Sequence, residues 1–173
     1  MKQKRIWPLV AELTLIYILF GCDSKRPSNW ITITHPQSEF TVTIRRTVTK
    51  PVAIAGSQET VTYYEACESL PYLNAEFINK TSTALMRSNF RATLENYAKV
   101  SGLSLIEITK YRDNLGTVGT YSGFKKLGNI GTVRVYGKWV LGEYTGIRCQ
   151  IIENPEVFPS EESARFLDSI ERK

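Results

Sequence analysis

The chain of 173 residues holds a single histidine, His35, and three cysteines, Cys22, Cys67 and Cys149. With no close cysteine pair and one imidazole, a zinc-type site lacks its ligands, and we expect neither metal nor cofactor. A Ser-His-Asp arrangement would hang on His35 alone, which lies between a β-like run and Pro36, the setting of a loop or strand-edge residue. No Gly-x-Ser-x-Gly elbow is present. Gly116, Gly119, Gly123, Gly128 and Gly131 lack the Gly-Lys-Ser/Thr ending of a phosphate loop and read as β-turn glycines. Glu65 and Glu68 read as a solvated strand end. Without a catalytic set, the expectation is that this is not an enzyme. No apolar run approaches the roughly 20 residues that cross a bilayer as a helix. Neither an internal repeat nor a low-complexity stretch occurs. No dense basic stripe runs along the chain, so no nucleic-acid partner is expected.

What is present is ordinary for a folded domain: 42% hydrophobic and 23% charged residues, with nine Tyr, seven Phe and three Trp. The net charge of +5 is partly a property of the first segment. Residues 1–21 hold Lys2, Lys4 and Arg5 against Glu12, so the chain from Cys22 onward carries +3.

That first segment has the order of a secretory signal: a positive start, an apolar stretch from Leu13 to Phe20 interrupted only by Thr14, then a small residue, Gly21. Leu19-Phe20-Gly21-Cys22 resembles the lipobox of bacterial lipoproteins. The resemblance implies cleavage before Cys22, lipid transfer to its thiol and acylation of the new amino group. Several acyl chains hold a protein on a membrane at about 0.8 kcal/mol per buried methylene. Phe20 is bulkier than usual and Glu12 sits at the edge of the apolar run, which leaves an uncleaved N-terminal anchor as the alternative. Asp23 resembles an inner-membrane retention signal of enteric-type bacteria. The expected location is the periplasmic side of the envelope, held by lipid. Residues 22–29 read as a tether, in which Lys25 and Arg26 either touch anionic headgroups or are simply solvated.

For Cys67 and Cys149 two readings stay open in an oxidising compartment. They form one disulfide closing a loop of about 80 residues, worth about 4 kcal/mol, or they are two buried, unpaired thiols.

Along residues 30–173 the pattern is of strands, helix, four strands and helix. Trp30 to Thr34 is a short β run. Phe40, Val42 and Ile44 alternate with polar residues at strand period. Val61 to Cys67 and Tyr72 to Ile78 read as a hairpin broken at Leu70-Pro71. Met86, Phe90, Leu94 and Tyr97 recur at helical spacing, predicting a helix over 83–100 capped by Ser82 or Thr83 and ended by Gly102. Strands follow at 105–111, 116–126, 130–141 and 144–152, the last pair joined at Gly142-Glu143. Ser160 caps a final helix with Glu161 and Glu162 in its first turn and Ala164, Leu167 and Ile170 facing inward. Asn79-Lys80-Thr81 matches a glycosylation acceptor, relevant only in a eukaryotic secretory pathway. Tyr63, Tyr64, Tyr72, Tyr121, Tyr136 and Tyr144 read as core and rim packing, with a ligand groove as the alternative.

These elements together resemble the PsbP-like (Mog1/PsbP) fold of small bacterial lipoproteins. The resemblance rests on Glu39-Phe40-Thr41-Val42-Thr43-Ile44, the single mid-chain helix followed by a strand, Gly119-Thr120-Tyr121-Ser122-Gly123 as the family's glycine turn, and the end from Pro159-Ser160-Glu161-Glu162 to Phe166-Leu167-Asp168-Ser169-Ile170. It implies an α+β architecture, an αβα sandwich around a mainly antiparallel sheet over one domain, and binding or assembly in place of catalysis. The functional expectation is a membrane-anchored lipoprotein serving as a non-catalytic binding or assembly accessory of the cell envelope. The alternatives are an envelope enzyme whose site comes from distant residues and a purely structural lipoprotein.

Overall fold

The structure is a computed structural model that describes residues 30–45, 52–53, 62–66 and 70–173. The signal segment, the tether with Cys22, and Cys67 and Glu68 lie outside the described residues.

Among the described residues, ten strands and three α-helices follow one another as β1 (Trp30–Thr34), β2 (Phe40–Arg45), β3 (Val52–Ala53), β4 (Thr62–Ala66), β5 (Tyr72–Ile78), α1 (Lys80–Ser88), α2 (Phe90–Val100), β6 (Ser104–Arg112), β7 (Thr117–Leu127), β8 (Gly131–Leu141), β9 (Gly146–Glu153), α3 (Glu161–Asp168) and β10 (Glu171–Arg172). Seven strands form one sheet in the order β3-β4-β5-β9-β8-β7-β6, and β1-β2-β10 form a smaller one. Every pairing is antiparallel. The protein is therefore α+β, as expected.

Strand alternation splits the large sheet into two buried faces. On β8, Val133, Val135, Trp139 and Leu141 point one way and join Phe90, Leu94, Ala98 and Tyr121 beneath α1 and α2. Val140 points the other way and joins Phe40, Val42, Ile44, Phe166 and Ile170, the residues that β2, α3 and the last strand bring to that side. Helices thus cover one face, and the small sheet with α3 covers the other. Gly137 makes the first face possible. It stands opposite Tyr121 in the β7–β8 register, and any Cβ there would collide with the Tyr121 ring.

Three sequence expectations need correction. The predicted helix over 83–100 is two helices meeting at Asn89, whose backbone leaves helical geometry. The start also lies earlier: Asn79 is the cap, its Oδ1 accepting from the Ser82 amide at 2.9 Å. The apolar stripe still crosses the break, because Met86, Phe90, Leu94 and Tyr97 all join the same core. Ser160 does cap α3, and Ile170, just past the helix, is buried as expected, but within the helix Ser163 and Phe166 are the buried residues while Ala164 and Leu167 are half-buried. Glu153 of β9 meets the start of the helix: its Oε2 accepts from the Ser163 hydroxyl at 2.9 Å and the Ser160 amide at 3.2 Å. Finally, Gly119 and Gly123 lie within β7 and not in turns. Gly119 sits under α2, where a Cβ would come within 2.8 Å of the Phe90 ring. Gly119 thus serves close helix–sheet approach, while Gly123 makes room for the Ser104 carbonyl and Leu103.

Candidate functional site

At one end of the large sheet three arginines meet. Arg87 closes the last turn of α1, Arg112 ends β6 and Arg172 lies in β10. They line a cavity of about 300 Å³ together with Gly116, Thr117, Leu141, Gly142 and Glu143. Gly116 is required by the backbone here: its φ is +136°, and a side chain would strike the Leu141 carbonyl.

The three guanidiniums differ in their partners. Arg87 donates to the Gly142 carbonyl and, at 2.8 Å, to the Glu143 carbonyl. Arg172 donates to Glu39 Oε1 at 2.6 Å and lies 3.9 Å from the Glu143 carboxylate. The Arg112 guanidinium has no hydrogen bond or ion pair among the described residues. Arg87 likewise meets carbonyl oxygens there and no carboxylate. Among the described residues, two of the three positive charges are thus left without an acidic partner.

Glu39 organises the rim. Its Oε2 accepts from the Tyr144 and Thr145 amides, each at 2.7 Å, and its Oε1 from the Glu143 amide at 3.3 Å. Burial alone would raise this carboxyl. Donation by the Thr145 and Tyr144 amides, by Arg172 and by the Glu143 amide outweighs it and brings the group down to about 2. The β8–β9 turn that carries Gly142 and Glu143 is thereby fixed to β2 and β10.

A second polar group lies under α2 on the helix-covered face. Glu76 of β5 pairs with Arg148 of β9, and the Arg148 guanidinium lies 4.5 Å from the Tyr97 ring and 5.0 Å from the Trp139 ring. Gln150 donates to the Tyr121 hydroxyl at 3.0 Å. Burial, then Tyr97, pushes that hydroxyl well above its ordinary value. Here each charge faces its opposite, and the cluster ties β5, β9 and α2 together.

His35 sits in the turn after β1. Its ring stacks on Phe77 with centroids 5.7 Å apart, and its Nδ1 accepts from the Gln37 amide at 3.3 Å. Burial, then the nearby Lys173 charge, lowers its pKa. It does not line the arginine cavity, and no carboxylate meets it among the described residues. Cys149 is a free thiol with no accessible surface, pushed by burial up to about 12. Cys22 and its lipidation, and Cys67 as the expected alternative partner of Cys149, fall outside the described residues. Among the described side chains, Tyr72 and Tyr121 are buried on the helix side, Tyr136 packs on Phe158, and Tyr144 is exposed beside Lys80; the side chains of Tyr63 and Tyr64 lie outside the described residues. Among the described residues no helix is long and apolar enough to cross a membrane, and no three of His, Cys, Asp and Glu converge.

Sequence reasoning did not single out Arg87, Arg112 or Arg172. They come from a helix and two strands with no common spacing. The one signal was that each closes, or nearly closes, its element. Guanidiniums bind carboxylates and phosphates through a planar fork of donors, so the cavity's chemistry is that of oxyanion binding. No protein-family model matches the chain, and no curated protein is found to match it.

Proposed function

We propose that this protein is a lipid-anchored accessory of a bacterial cell envelope, working by binding or assembly and not by catalysis. The observation that carries the reading is the order at the start of the chain, with Lys2, Lys4 and Arg5, the apolar run and Leu19-Phe20-Gly21-Cys22. The α+β layering, with helices on one face of an antiparallel sheet and α3 on the other, supports a PsbP-like fold as the finer reading. One departure stands against that fold, since Gly119 to Gly123 is strand and not a turn. The arginine cavity supports binding as the work of the folded part.

Mass spectrometry of the mature protein from its bacterial host tests the anchor. The expected N-terminus is Cys22 bearing a diacylglyceryl group and an amide-linked acyl chain. The Cys22→Ala protein should lose cleavage at that site. If the variant is still cut before residue 22 and stays as firmly membrane-bound as the parent, the lipid anchor is wrong. Repeated pull-downs of the full chain from solubilised membranes test the assembly role, and consistent recovery of no partner counts against it.

A further inference from the structure

We infer that the arginine-lined cavity holds a small ligand through a carboxylate or phosphate group, seated between Arg87 and Arg112. This deepens the binding-module reading and rests on it, though not on the lipid anchor.

Three observations converge. The first is size. A cavity of about 300 Å³ stands at the lower end of the roughly 300–1,000 Å³ of small-molecule sites. It suits a compact anion better than an extended chain.

The second is charge. Arg172 is offset by Glu39 at 2.6 Å, and Glu143 stands 3.9 Å from the same guanidinium. Arg87 and Arg112 have no such partner among the described residues. Even with both carboxylates counted, the three arginines leave one positive charge. A bound oxyanion would neutralise that charge and accept from both forks.

The third is construction. Arg87 is held by the Gly142 and Glu143 carbonyls. Those residues are held in turn by Glu39, which accepts from the Glu143 amide and ties the turn to β2. The Gly116 conformation draws the β6–β7 turn against the Leu141 backbone, so Thr117 and Leu141 line the same space as the arginines. A guanidinium preset by backbone carbonyls loses little side-chain freedom when it binds, which favours affinity. The Glu76–Arg148 cluster offers the contrast, because there the arginine faces a carboxylate of its own.

The oxyanion has two sources, a soluble metabolite or a phospholipid headgroup, and the test separates them. The full chain in nonionic micelles is titrated by calorimetry with inorganic phosphate and with succinate, ionic strength being held constant with chloride. A parallel arm uses nanodiscs with and without phosphatidylglycerol. Saturable one-to-one binding is expected in at least one arm. Arg112→Gln should weaken it about tenfold or more, the size of one charge-assisted contact. Arg112 is exposed, so the variant should keep the parent's unfolding midpoint. Arg91→Gln, on the exposed side of α2 where Arg91 pairs with Glu95, should bind as the parent does. Saturation by the soluble anions assigns a free ligand; saturation by phosphatidylglycerol alone, equally sensitive to Arg112→Gln, assigns a headgroup. Silence in both arms overturns the inference, as does binding that Arg112→Gln leaves unchanged or that chloride reproduces. A negative result here leaves the anchor untouched, and a failed anchor leaves the micelle titration unchanged.

Discussion

Cys149 shows how far burial governs reactivity at a single residue. It lies on β9 opposite Ala75 and Lys138, in the core that β2 and α3 cover. The thiolate is the reactive form, and burial pushes this thiol up to about 12, with Lys138 pulling slightly the other way. Cys149 should therefore resist iodoacetamide in the native protein at about pH 8 and react once the chain is unfolded. Peptide mapping after alkylation in denaturant, without reductant, checks this. Modification of Cys149 under those conditions requires a free thiol. Its appearance only after reduction would mean a disulfide in the protein as isolated. The sequence left that choice open because linear spacing says nothing of how closely two Cα atoms approach.

Periodicity carries the elements and fails at their ends. The stripe Met86, Phe90, Leu94 and Tyr97 was legible because helical spacing and burial coincide there. The break at Asn89 was not, since nothing at that position interrupts the stripe. The buried face of α3 is only partly legible for a different reason: it includes a polar residue, Ser163. It is drawn in by the Glu153 carboxylate, whose partners are an amide and a hydroxyl at the start of the helix. Ser163→Ala would leave that buried carboxylate short of a donor. The cost should be about 1–3 kcal/mol, read as a lower urea midpoint with an unchanged slope. A variant as stable as the parent would mean that α3 is positioned by Phe166 and Ile170 alone.

Over the whole molecule, alternation made β2 and β8 readable as strands, and hairpin-like spacing made a mainly antiparallel sheet readable. The arginine cavity was not readable, because Arg87, Arg112 and Arg172 belong to elements that only the folded sheet order brings to one end. The same is true of Glu39, which precedes β2 in the chain yet accepts from the β8–β9 turn and from β10. One carboxylate thus joins the small sheet to the large one.

That junction has a pH signature whose sign is set by the direction of the shift. The Glu39 carboxyl is held at about 2 in the fold, against 4.5 as its ordinary value, so the unfolded chain takes up its proton first as pH falls. Its contribution to stability is then fully present above about pH 4.5 and declines progressively as pH drops toward about 2. Other carboxylates titrate in this window too, so the difference between parent and Glu39→Gln isolates the effect. Urea unfolding of both proteins at intervals from neutral pH downward should show the variant less stable at neutral pH. The gap should close as the medium is acidified through that window. A gap that stays constant across the range would mean that the amides of Glu143, Tyr144 and Thr145 do not hold a charged Glu39. The turn that positions Arg87 would then need another support.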